Sequence, residues 1–506
     1  INQNEIDYLK REKMPFETGF EFNDFQHPYA YDLDVFGEHS IFQNLNRTFT
    51  FAGKKKLSNQ LLRLLSNQEI IANQQAILEL SYKLDWRQDF MAAAKIGNDS
   101  KTAYETLMEW RKSASAPMSK AIIIISFVSP ILFGLLFVIY WITSMPVLLS
   151  ILTFQFVFHL ALMGKFLKRI KAEIQESGNI DTIISQYSLL VKKIEKEGFS
   201  SDRLRDLQKQ FIADSKSASV HLKQLSVLFS RIDSIANVVS TLLFNGIFLF
   251  HVHTLKALID WKKQHAENLE NWLDVIGEFE MLNSLANFSY NNPKFVFPAL
   301  NATNEITFSN LSHPLLNAKS RVGNDVSFEQ QPFVILTGSN MSGKSTFLRS
   351  LGINMVLTGI GSAVCADKAN VHPLPVLVSM RLSDSLSDSE SYFYAEIKRL
   401  KQIMDALESN RAFVLLDEIL RGTNSDDKRS GTIEVVKKMI ANNAIGAIAT
   451  HDIEVCLTTN DYPNQLTNKC FEVEIINNDL HFDYKLRDGI CKNKSATFLM
   501  EKMGVI

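Results

Sequence analysis

The chain has 506 residues, with 53 Lys and Arg against 55 Asp and Glu and a formal charge of −2. One core rarely grows beyond about 250–300 residues, so several domains are expected, and near-neutral charge excludes a global basic field: nucleic-acid binding would need a local patch. Cys365, Cys456, Cys470 and Cys491 show no metal-ligand or paired spacing, which fits a reducing compartment and argues against structural zinc.

The first residue is Ile1 and no secretory pattern follows it, so upstream residues are expected. From Ala121 to Gly164 run 44 residues without Asp, Glu, Lys or Arg. One membrane helix needs about 20, so this run predicts a helical hairpin that turns at Thr143–Pro146. Arg111, Lys112 and Lys120 precede it, and Lys165, Lys168, Arg169 and Lys171 follow. Both flanks are therefore expected on the cytoplasmic side. Residues 180–211 place apolar residues at helical spacing among dense charge, as in long exposed helices. A second uncharged run, Ser234 to Leu255, is diluted by Asn237, Asn245, His251 and His253. If it also spanned the bilayer, the segments on either side would be separated by the membrane, so it is read as a core helix. Beyond Pro293, alternating apolar runs predict an α/β region lasting to the C-terminus.

Within that region, "FVILTGSNMSGKSTFLRSLG" (Phe333–Gly352) passes from an apolar strand through glycine and serine into a helix. Gly338, Gly343, Lys344 and Ser345 fit G-x-x-x-x-G-K-[ST], in which backbone N–H groups cradle phosphates, the lysine reaches the terminal phosphates and the serine holds Mg²⁺. Ser383 to Ser391 forms a hydroxyl-rich loop before a helical pattern, a helix start able to take an anion. "RAFVLLDEILRGTNSDD" places Asp417 and Glu418 at a strand end, with Asp417 suited to the Mg²⁺ shell and Glu418 to the attacking water. "AIGAIATHDIEV" ends a third strand at Thr450 and His451, on the edge where open α/β sheets bind ligands.

These motifs resemble the MutS mismatch-repair family: "LTGSNMSGKSTFLRSLG" its phosphate loop, "LLDEILRGTNSDD" its acidic strand, "ATHDIEV" its histidine strand and "LRDGICKNKSATFLMEKMGVI" its closing helix. "SIFQNLNRTFTFAGKKKLSNQLL" (Ser40–Leu62) is similar to the start of the family's helical core, and "GEFEMLNSLANFSYNN" (Gly277–Asn292) to the helix leading into its ATPase. The resemblance implies a mixed fold, an all-α core and lever domain followed by an α/β ABC-type P-loop ATPase domain, with the transmembrane helical hairpin read from the uncharged run set into the helical part. The expected segments are 1–110 and 172–292 (helical core and lever), 111–171 (hairpin and basic flanks) and 293–506 (ATPase).

It further implies that Gly338, Ser339, Asn340, Met341, Ser342, Gly343, Lys344, Ser345 and Thr346 hold ATP. Ser345 and Asp417 take Mg²⁺; Glu418, Lys344 and His451 are the catalytic residues. Val322 and Asn324 fall at the adenine pocket, where Arg321 replaces a frequent aromatic and would stack by its guanidinium plane. Ser391 falls at the serine that reaches a partner subunit's nucleotide, implying a homodimer, although Ser389 and Glu390 depart from the family's pattern beside it. A membrane-bound, cytoplasm-facing, DNA-binding ATPase follows, with double-stranded DNA as partner and Lys54, Lys55 and Lys56 as a candidate basic surface. No mismatch-reading segment is visible before residue 40. The uncharged hairpin stands where the family's levers would clamp DNA and cannot grip phosphates, so the alternative is a membrane-tethered mechanochemical ATPase acting on a protein or the membrane without DNA.

Overall fold

In the computed structural model, residues 1–97, 99–174, 180–212, 217–381, 392–476 and 479–491, with 500 and 505, are described. The chain divides into two compact units, one of Thr48–Lys56 and Leu84–Met281, the other of Ile1–Arg47, Leu57–Lys83 and Leu282–Ile506.

The first unit is helical among its described residues. Ile180–Lys196 buries Ile183, Ile184, Tyr187, Leu190, Val191 and Ile194 on one face, the amphipathic stripe its spacing predicts. Among the described residues, two helices are long and apolar enough to cross a membrane by length and composition: Lys120–Thr143 and Pro146–Lys171. The first ends at Ser144, in the left-handed region at φ 56°, and the second starts on Pro146, so the turn falls where the sequence puts it. The run Ser234–Leu255 differs from the single core helix read from sequence. It breaks at Leu249 (φ 51°) into Val238–Phe248 and the start of a 42-residue helix, Phe250–Asn291. Val238–Phe248 also leaves most of its apolar side chains exposed.

The Thr48–Lys56 strip is pinned by buried carboxylates. Glu280, 2% exposed, accepts the Phe49 N–H at 2.8 Å, the Thr50 N–H at 3.3 Å and the Thr50 hydroxyl. Thr50 Oγ1 in turn accepts the Gly53 N–H at 3.0 Å, capping the helix Phe51–Leu61. A Cβ on Gly53 would lie 2.2 Å from Glu280 Oε2, so this approach needs glycine. Asp99 accepts the next N–H, that of Phe51, at 2.9 Å, and the Tyr187 hydroxyl at 2.7 Å.

The second unit holds the sheets. A four-stranded sheet runs in the order Ala299–Leu300, Lys368–Val371, Ile306–Leu311, Asn324–Ser327. A six-stranded sheet runs Leu486–Asp488, Leu466–Phe471, Phe333–Gly338, Ile445–Ala449, Phe413–Asp417, Val376–Ser379. Its strands pair in parallel except for the edge strand Leu486–Asp488. Phe333–Gly338, Phe413–Asp417 and Ile445–Ala449 are buried throughout, as parallel strands covered on both faces must be. Parallel order brings their C-terminal ends to one edge, which is where the expected motifs lie.

Burial raises the Glu280 carboxyl from 4.5 to about 7. The folded value lies above the unfolded one, so the fold binds the proton more tightly and this group's contribution declines as pH rises from about 4.5 to about 7. Glu280→Gln is expected to flatten that part of the melting-temperature profile. A profile unchanged between pH 4.5 and 7 would show that Glu280 does not titrate in this way.

Candidate functional site

The loop between Phe333–Gly338 and the helix Lys344–Gly359 turns through left-handed backbone at Met341 (φ 68°) and Gly343 (φ 105°). A Cβ on Gly338 would lie 2.6 Å from Ser342 Oγ and 2.9 Å from the Phe471 carbonyl oxygen, so only glycine closes the turn there. The helix behind the loop is buried along nearly its whole length. Its N-terminus points its unpaired N–H groups and positive dipole end at the loop.

Lys344, 6% exposed, donates from Nζ to the Gly338 carbonyl at 2.8 Å and the Ser339 carbonyl at 3.1 Å. Burial pushes its pKa down, against the pull of Glu418 and Asp417. Ser345 Oγ donates to Asp417 Oδ2 at 2.5 Å, so the two oxygens expected to share a divalent ion are already together. The Glu418 N–H donates to the Ala449 carbonyl at 3.0 Å, and the Thr450 N–H to the Leu336 carbonyl at 3.0 Å. These bonds tie the ends of the acidic, histidine and phosphate-loop strands to one another.

His451 Nε2 lies 2.8 Å from Glu418 Oε1 and 3.3 Å from Lys344 Nζ. Only the carboxylate can accept from it, so the Nε2 proton points at Glu418. That hydrogen bond holds the Glu418 carboxyl down at about 2, and Glu418 stays ionised at neutral pH. Its backbone sits in the left-handed region at φ 48°, as does Leu420 at φ 61°. Such backbone persists only where surrounding contacts enforce it.

Sequence reasoning missed the residues that enforce it. Glu396 accepts the Leu420 N–H at 2.6 Å and the Arg421 N–H at 3.1 Å. Arg421 donates back to the carbonyls of Glu418 at 2.9 Å and Asp417 at 3.1 Å. Both lie inside the quoted motifs or just upstream of them, but only the folded turn pairs them.

A cavity of about 530 Å³ opens beside the loop, lined among others by Arg321, Val322, Asn324, residues 339–346, Glu418 and Tyr484. Arg321, Val322 and Asn324 all face this cavity. The Arg321 guanidinium lies over the Phe295 ring at 5.0 Å. Asn324 spends its carboxamide on Tyr484 O (3.0 Å) and the Leu486 N–H (2.8 Å), which fixes the edge strand. Among the aromatics that line the cavity, Phe347 and Phe471 are buried and Tyr484 is exposed; its ring stacks on Phe482 at 6.0 Å and would lie 3.1 Å from a Cβ on Gly343. Ser391, the expected cross-subunit serine, and most of the closing-helix motif lie outside the described residues.

The donor set fits a polyphosphate. The buried hydroxyls of Ser339 and Ser342 have no hydrogen-bond partner among the described residues, and a buried polar atom without one is costly. Phosphate oxygens would supply acceptors to both, facing Lys344 and the helix N-terminus.

Residues 334–504 match the model of MutS domain V, which supports MutS family membership for this part of the chain. The DNA mismatch repair protein MutS of Thermotoga maritima is 30% identical over 241 residues, 46% of this chain and 30% of the relative. Human MutS protein homolog 4 is 27% identical over 247 residues, 46% of this chain and 25% of the relative. The MutS of Prochlorococcus marinus is 36% identical over 180 residues, 35% of this chain and 19% of the relative. The matched stretch thus spans less than a third of these relatives' length, and domain V is the matched family module.

Gly338→Ala is expected to abolish binding of inorganic pyrophosphate to domain V by calorimetry while circular dichroism keeps its helical signal. Retained binding would mean that the loop does not hold phosphate in the geometry described.

Proposed function

We propose that the chain is a Mg²⁺-dependent ATPase of MutS type, a dimeric nucleotide switch that binds double-stranded DNA and is tethered to the membrane by the helices Lys120–Thr143 and Pro146–Lys171. The observation that carries the nucleotide reading is the convergence at one sheet edge of buried Lys344, the Ser345–Asp417 pair, the Glu418–His451 pair and two buried hydroxyls without partners among the described residues. Lys344 and the loop N–H groups would hold the terminal phosphates, and Tyr484 offers its ring to the base. Mg²⁺, held by Ser345 and Asp417, would neutralise phosphate charge. Ionised Glu418 would accept a hydrogen bond from the attacking water and so orient it. The DNA reading is supported by the relatives, which are named as DNA mismatch repair proteins. The dimer follows from the family resemblance. The cytoplasmic side for the core and domain V follows from the basic flanks of the hairpin.

One observation favours a second reading, an engine moved to a membrane or protein target. Of the candidate basic run, Lys56 is engaged by Asp274 and Glu278, each at 3.4 Å, and the apolar hairpin offers no cation between Ala121 and Gly164.

Lys344→Ala is expected to weaken ATP binding by more than tenfold. Glu418→Ala is expected to bind ATP with near wild-type affinity and to turn over about 10²–10⁴-fold more slowly. Wild-type turnover in both would remove the ATPase assignment.

Fluorescence anisotropy of the detergent-solubilised chain with homoduplex and single-mismatch DNA, at two salt concentrations and with ATP or ADP, separates the two readings. Nucleotide-dependent, salt-sensitive binding is the outcome expected of a DNA switch. No binding in any state, with ATPase activity intact, replaces it by the second reading.

A further inference from the structure

We propose that Val238–Phe248 is a re-entrant membrane helix, which enters one leaflet beside the apolar hairpin and returns to the side it came from at Leu249. The inference rests on the membrane reading of the hairpin and adds to it a further lipid-contacting element, with acyl chains as the occupant of its apolar face.

Exposure and length come first. No charged side chain lies between Asp233 and Lys256, and Val238, Val239, Leu242, Leu243, Phe244 and Phe248 are all exposed, Val239 at 69%. Six large apolar groups on 11 residues form a face that water would not stabilise. At 1.5 Å per residue the helix is about 16 Å long, roughly half of a 30 Å hydrocarbon core, so it reaches into one leaflet and no further. The chain then bends by 79° into the following helix. Entry and exit on one side leave the segments before and after it on the same face of the membrane, as the hairpin's basic flanks require.

The packing partner is the hairpin itself. A Cβ on Gly246 would lie 2.1 Å from the Phe156 ring, so the short helix packs closely on Pro146–Ile174 through its glycine, the small-residue contact characteristic of helices in lipid. His159, fully buried, bridges three elements. Its Nδ1 donates to the Gly246 carbonyl at 2.8 Å, which leaves Nε2 to accept from the Ser129 hydroxyl at 2.7 Å. Gln155 donates to the Ser129 carbonyl at 2.7 Å.

The break is the decisive feature. In lipid, backbone groups freed by a bend need protein partners, whereas a kink in water can leave them to solvent. Here the partners are built in. Asn245, fully buried, accepts the His251 N–H at 2.9 Å and donates to His251 Nδ1 at 2.7 Å and to the Thr241 carbonyl at 2.7 Å. The same provision serves the hairpin: Pro130 has no N–H for the Ser126 carbonyl four residues earlier, and His253 Nε2 takes that carbonyl at 2.8 Å. Polar side chains from three helices are thus spent on backbone groups that only a dry surrounding would leave without a partner.

The test uses the full chain in phosphatidylethanolamine–phosphatidylglycerol vesicles. Nitroxide labels are placed at Leu243→Cys and, independently, Val239→Cys, with Leu135→Cys reporting the hairpin and the unsubstituted chain as the labelling blank. At all three sites, collision with oxygen is expected to exceed collision with a water-soluble nickel chelate by several-fold. A lipid signal at 135 with nickel access at both 243 and 239 overturns the re-entrant helix and leaves the tether standing. A lipid signal at 135 with 243 and 239 shielded from both reagents means that a protein surface covers the helix, and likewise overturns it. Nickel access at 135 removes the membrane reading and this inference with it.

Discussion

A buried ammonium sets the terms for everything at the sheet edge. Lys344 is nearly inaccessible to water, and burial of a charge is costly unless other groups replace its hydration. Two loop carbonyls do part of this work at 2.8 and 3.1 Å, and Asp417 and Glu418 supply opposing charge. Those acids can be present because parallel strands end together and because the Glu418 N–H is bonded into the histidine strand. The left-handed turn that aims Glu418 needs its own clamp, Glu396 and Arg421. Sheet order, turn strain and loop chemistry therefore answer to one electrostatic requirement.

The helical unit meets a related requirement by different means. Around Thr50 the backbone donors of three successive residues, Phe49 to Phe51, end on the buried carboxylates of Glu280 and Asp99. Around Leu249 the His251 N–H ends on the neutral Asn245 side chain and the Gly246 carbonyl accepts from the His159 ring. Carboxylates suit a protein interior, where burial can raise their pKa and dipoles can stabilise them. Neutral groups suit hydrocarbon, where an uncompensated charge is far more expensive.

What the sequence made legible was local. The strand, loop and helix of Phe333–Gly359, the acids at Asp417 and Glu418, and the strand ending before His451 follow from apolar runs, glycines and spacing, and the apolar hairpin follows from an absence of charge. What it hid depends on contacts distant along the chain. Tyr484 lies far from Gly343 in sequence, and nothing in "HFDYKL" marks it as an aromatic beside the loop. Nothing near Arg321 in sequence shows that its guanidinium lies over the Phe295 ring. Leu249 has no residue-type signal for left-handed backbone, and the cap that permits it, Asn245, looked only like a polar interruption of a core helix. Lys56 reads as part of a basic run in sequence, and its acidic partners Asp274 and Glu278 lie more than 200 positions away.

On the proposed reading, His451 supplies the logic of the switch. Its Nε2 proton serves one acceptor at a time, and here that acceptor is Glu418. While the bond holds, the carboxyl stays near 2, ionised and able to orient a water but too weak a base to draw its proton efficiently at neutral pH. A terminal phosphate oxygen competes for the same proton, and whatever share it takes raises the basicity of Glu418. The acid is then activated by the presence of the group to be cleaved, and without that group it remains paired. Such a site would resist idle proton chemistry and would tie turnover to the arrival of nucleotide, as a device whose output is a conformational state requires.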